Sequence, residues 1–146
     1  MPNLVQWGDL GTITTSLDTG LNSLADSANA LGTEIDNATD QNMYADFQLT
    51  AAYSVAPSAG GYVSLYFIQA LDGTNYADGD GSTDPPASAM VGNWPLRAAT
   101  GTQVHTLRHV LQPATKYKPL VINEAGQAMV ASGNTVKFRA YNEEIQ

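Results

Sequence analysis

The stretch Tyr44-Ala45-Asp46-Phe47-Gln48-Leu49-Thr50-Ala51-Ala52-Tyr53 alternates with a period of two. Phe47, Leu49, Ala51 and Tyr53 fall on one face, and Asp46, Gln48 and Thr50 on the other. Successive side chains of a strand point to opposite faces, so this is a half-buried strand. Pro57-Ser58-Ala59-Gly60-Gly61 signals a turn. The next run, Tyr62-Val63-Ser64-Leu65-Tyr66-Phe67-Ile68-Gln69-Ala70-Leu71, is rich in aromatic and β-branched residues and reads as a central strand. Asp72-Gly73-Thr74-Asn75 turns out of it into a polar loop over 72–88 that ends near Pro85-Pro86. Further strands are predicted over 90–97, 102–111, 117–123 and 135–141, with turn residues between them. Short strands punctuated in this way predict an all-β fold, an antiparallel sandwich or barrel.

Working outward, residues 16–31 are ambiguous. Leu17, Leu21, Leu24, Ala28 and Leu31 recur at helical spacing, but Gly20, Asn22, Ser23, Ser27 and Asn29 are weak helix formers. Residues 1–22 read as an extended N-terminal arm, and 23–146 as a single β-sandwich domain. In the arm, Leu4, Val5, Trp7, Leu10 and Ile13 are apolar but interrupted by Gly8, Asp9, Gly11 and threonines. Such a segment cannot make a self-contained helix, but it can lie across another surface. These five are the candidate protein-interface residues. Trp7 suits an anchor because it carries a large area at low entropic cost, or it tucks into its own core.

The 146 residues are enough for one domain with a real core. Only 14% are charged, and the net charge is −8. That acidity argues against a nucleic-acid binder and against attachment to anionic lipid by charge. No Cys is present, so no disulfide framework or thiolate metal site is available. No apolar run reaches the length of a membrane-spanning helix. The N-terminus has no basic region followed by a long apolar one, so no secretory signal is expected. Residues 1–96 hold eleven acids and no Lys or Arg, whereas all six cations lie after position 96. Either the halves interleave and neutralise each other, or the chain carries a charge asymmetry that favours docking.

Motifs for chemistry are weak. Asp78-Gly79-Asp80-Gly81-Ser82-Thr83-Asp84 spaces oxygen ligands as for Ca²⁺, but Ala89 stands where an EF-hand needs its bidentate Glu. A solvated acidic loop is the expectation, and no metal or other cofactor is expected. His105 and His109 share a strand face roughly 13 Å apart, too far for one metal, and are read as ordinary polar or interface residues. No G-x-S-x-G or phosphate-binding loop occurs, and no enzyme is expected. Glycan binding is the rival reading, with Trp7, Trp94, Tyr62, Tyr66 and Tyr76 as stacking candidates, although the apolar surroundings of Trp94 suggest a buried strand end.

Three segments carry a family resemblance: Tyr44 to Leu49, Leu65 to Tyr76, and Gly92-Asn93-Trp94-Pro95-Leu96-Arg97. Tyr117 to Gln127 and Ala131 to Val136 add to it. Together, over about residues 40–142, the chain resembles the capsid cement, or decoration, proteins of tailed bacteriophages, which have a jelly-roll β-sandwich. The resemblance implies a virion structural protein on the capsid exterior that bridges neighbouring major capsid proteins and stabilises the head. It also implies a homo-oligomer, dimer or trimer, with neither nucleic acid nor membrane as partner. A glycan-binding or tail-associated jelly-roll module of a phage particle is the alternative.

Overall fold

A computed structural model describes residues 4–145. Residues 1–3 and 146, the outer ends of the expected arm and domain, lie outside the described residues. The strands are β1 (Val5–Trp7), β2 (Thr14–Leu17), β3 (Asn29–Leu31), β4 (Ile35–Asp36), β5 (Tyr44–Tyr53), β6 (Tyr62–Ala70), β7 (Met90–Pro95), β8 (Gly101–Leu111), β9 (Lys116–Glu124), β10 (Thr135–Tyr141) and β11 (Glu143–Ile145). A single helical turn, α1 (Asn37–Asp40), precedes β5, capped at its start by the Asp36 carboxylate. The fold is all-β, with antiparallel sheets packed as a sandwich. One sheet has the order β2-β10-β5-β8. The other has β3-β9-β6-β7, with β4 also paired to β9. The ends β1 and β11 pair as a separate two-stranded ribbon.

The alternation in β5 holds as expected. Ala45, Phe47, Leu49, Ala51 and Tyr53 enter the core and meet Val63, Leu65, Phe67, Trp94, Tyr117 and Val121 of the facing sheet. Trp94 is buried, and its indole N–H donates to the Phe47 carbonyl at 3.2 Å, tying β7 to β5 across the sandwich. β6 is buried on both faces because the loop after it folds back over the sheet's outer side. There Ile68, Leu120 and Ile122 make a second apolar cluster against Tyr76 and Ala89. Pro119 sits inside β9 at the gap between its β3 and β4 partners, so its missing N–H costs no ladder bond. Its carbonyl still accepts from Gly32 N at 2.7 Å. A Cβ at Gly32 would stand 2.8 Å from Ser16 O, so only glycine fits this crossing.

Residues 16–31 form no helix. Leu17 lies in β2, Leu21 ends a 3₁₀ turn (Thr19–Leu21), and Leu24 is buried in the following loop. Ser23 and Ser27 take positive φ, which breaks any helical run. β2 is a sheet strand with Ser16 and Leu17 buried, so the exposed arm spans 4–13 rather than reaching residue 22. Buried amides hold the loops in place of regular ladders. The Asn123 amide reaches the carbonyls of Leu24, Ala25 and Gln127, and its oxygen accepts from Tyr53 OH at 3.1 Å. Asn134 likewise joins Ala52 N, Asn22 and Val130 O.

Each group orphaned in a buried network costs about 1–3 kcal/mol. Asn123→Ala is therefore expected to lose about 2–4 kcal/mol in urea unfolding, while exposed Asn93→Ala changes stability by less than about 0.5 kcal/mol.

Candidate functional site

The exposed N-terminal segment is not free. It runs antiparallel to the C-terminal residues, with Val5 opposite Ile145 and Trp7 opposite Glu143. Gly8 N donates to Asn142 O and Gly11 N to Ala140 O, each at 2.8 Å, and the Arg139 Nε donates to Gly11 O at 2.8 Å. β2 then continues the pairing to Val136. Glycine at 11 is required by this approach, since a Cβ there would lie 2.9 Å from Ala140 O.

A bulge in the neighbouring sheet builds the seat for Trp7. β5 and β8 slip register between Ala45 and Phe47, which face Val110 and Leu107, so Arg108 and His109 are set against Asp46. His109 takes φ 56° there, and its backbone N–H, lost to the ladder, donates to Asp46 Oδ1 at 2.8 Å. The same oxygen accepts from Tyr141 OH at 3.0 Å. Tyr44 stacks on the His109 ring, centroids 3.9 Å apart. Trp7 meets His109 and Tyr141 edge-to-face at 5.5 and 5.4 Å. Such pairs contribute about 0.5–1.5 kcal/mol each, enough to fix one side chain but not to bury it. Trp7 stays 58% exposed.

Beside it lies a groove of about 570 Å³ lined by Trp7, Leu10, Asp46, Arg108, His109, Tyr141 and Glu143. Asp46 also lines a smaller hollow of about 180 Å³ that contains Ile13, Lys137 and Arg139. All five candidate interface residues, Leu4, Val5, Trp7, Leu10 and Ile13, are between 52% and 67% exposed. Ile145, opposite Val5, extends the apolar surface. The structure thus places the five on one exposed segment and adds Tyr44, Asp46, His109, Tyr141 and Ile145. No spacing in the sequence signals that residue 109 meets residue 7, because the contact depends on a bulge and on long-range pairing.

Other candidates do not converge. In the acidic loop, Asp80 Oδ1 accepts from Ser82 N and Thr83 N, both at 2.7 Å, and these bonds hold its carboxyl below the usual range. Asp84 accepts from Asn29 Nδ2 at 3.0 Å. Among the described residues no group of three or more acids and histidines is placed to hold a metal ion. His105 faces Leu49 and contacts Gln103, apart from His109 and its Tyr44 and Trp7 neighbours. Of the stacking candidates, Trp94 is in the core, and Tyr62 and Tyr66 belong to the other sheet. Tyr76 is bonded to Glu34, with the Lys118 ammonium 4.2 Å from its ring centre.

The charge halves of the sequence interleave in space. β10 lies between β2 and β5, and β9 lies between the β3–β4 edge and β6. Lys116 pairs with Glu34 and Asp36 at 3.4 and 3.8 Å. Comparison with protein-family models and with curated proteins finds no match.

Burial and the bond to Asp46 push the Tyr141 phenol up to about 12. Burial also raises Tyr53 and Tyr117. The unfolded chain releases these protons near 10.0, so stability is intact below that pH and is lost as pH rises towards the folded values. Urea unfolding at a series of alkaline pH values is expected to show this decline, shallower in Tyr141→Phe.

Proposed function

We propose that this chain is a virion structural protein that decorates the exterior of a phage head, bridging and stabilising neighbouring major capsid proteins. The observation that carries the reading is the 4–13 segment. Its apolar side chains are exposed, yet its backbone is held against 140–145 and Trp7 is seated on a built platform. A contiguous exposed apolar surface marks a contact site, and fixing it beforehand lowers the entropy lost on docking.

The strand order supports the jelly-roll part of the reading. Counting the β3–β4 edge as one strand, β2 to β10 make eight in chain order. They lie 1-8-3-6 in one sheet and 2-7-4-5 in the other, the arrangement of a jelly roll. Repetition over a lattice makes modest contacts add through avidity. A homo-oligomer, dimer or trimer, is part of the same proposal. The second reading, a glycan-binding or tail-associated module, draws on the groove where Trp7 lies beside Asp46 and Glu143.

The test adds the full chain to empty mature capsids and measures their disruption temperature. Wild type is expected to bind and raise it, and Trp7→Ala combined with Ile13→Ser to bind at least tenfold more weakly. Failure of wild type to bind capsids, with retention on a glycan array, overturns the proposal in favour of the second reading.

A further inference from the structure

The two outer sides of the sandwich differ in charge. The strands of the β2-β10-β5-β8 sheet carry Arg108, Lys137 and Arg139, all exposed. Their one acid is Asp46, whose Oδ1 is occupied by His109 N and Tyr141 OH. Among the described residues every ion pair belongs to Lys116, so these three cations form none, although Asp46 stands opposite Arg139 and Glu143 lines a groove with Arg108. The loop over the outer side of the other sheet exposes Asp72, Asp78, Asp80 and Asp84, with Lys118 of β9 the one cation lining the hollow beside Asp78 and Asp80. Hydrogen bonds from Asn75 and Thr74 hold the Asp72 carboxyl down to about 2.

We infer that a second copy of this chain docks its acidic 72–84 loop on the cationic outer face of the β2-β10-β5-β8 sheet. The chain as a whole is at −8, which opposes self-association through any average surface. A contact between these two surfaces replaces that repulsion with attraction. Lys137 and Arg139 are two residues apart on one strand, about 7 Å, and present two cations side by side. Arg139 spends its Nε on Gly11 O and keeps its terminal nitrogens for a carboxylate. The two surfaces lie on opposite sides of the sandwich, so the contact is head-to-tail. It closes as a ring or propagates. It needs no capsid to form, and it uses the face that adjoins residues 4–13.

Sedimentation of the full chain at about 0.02 M and about 0.5 M salt tests this, because screening lengths differ severalfold between them. Wild type is expected to exceed 15.4 kDa at low salt and fall to it at high salt. Arg108→Glu with Lys137→Glu, and separately Asp78→Lys with Asp84→Lys, are each expected to be monomeric, with circular dichroism confirming folded chains. Mixing the two variants restores both complementary surfaces, so the mixture is expected to associate at low salt. Monomeric wild type at low salt, association that survives the Arg108 and Lys137 reversals, or a mixture that stays monomeric would each overturn the inference.

Discussion

The N-terminal segment and the C-terminal strand hold each other. From Val5 opposite Ile145 to Leu17 opposite Val136, the two ends run antiparallel, through β1–β11, the Gly8 and Gly11 bonds, and β2–β10. The pairing adds β2 to the four-stranded sheet and leaves the ribbon exposed on both faces beyond it. Without it, Trp7 has no fixed position over His109 and Tyr141, and the apolar side chains of 4–13 are a loose tail. With it, a flexible sequence becomes a surface. Gly11, which looks like a break in the apolar pattern, is what allows the close approach to the Ala140 backbone.

The same economy runs through the loops. Low charge density and abundant Asn place amides, rather than ion pairs, at the buried junctions. Asn123, Asn134, Gln103 and Gln112 are each less than a tenth exposed and bond to backbone of other segments or to buried tyrosine. A neutral amide is cheaper to desolvate than a charge and both donates and accepts, so one side chain satisfies several loop carbonyls. Asp46 is the exception. It is only half-buried, and its charge faces donors that a bulge in β8 has released. That arrangement couples the Trp7 seat to the sheet itself.

The strands with strong alternation or β-branched runs were legible. β5 and β10 begin and end at the expected residues, and β6 to β9 differ by one or two at their ends. β1, β3, β4 and β11 are two or three residues long, too short for a period to show; β3 and β4 pair with the long β9, and β1 and β11 pair with each other. The leucines of 16–31 kept helical spacing yet entered the core from a strand, a 3₁₀ turn and a loop, since Asn123 and Asn134 fix that path from far along the chain. The five apolar arm residues were legible as a set. Their platform was not, because Tyr44, His109 and Tyr141 come together only through the register of three strands. Charge read along the chain suggested two halves, but the sheets shuffle them, and the asymmetry that survives is between faces.

Under the proposed attachment, docking slows amide exchange across the paired ends. Hydrogen exchange of residues 4–13, measured in the free protein and on empty mature capsids, examines that contact without altering the chain. Strong added protection confined to 4–13 and the facing 140–145 is the expected result. Unchanged exchange there, with protection elsewhere or nowhere, contradicts the role assigned to the paired ends.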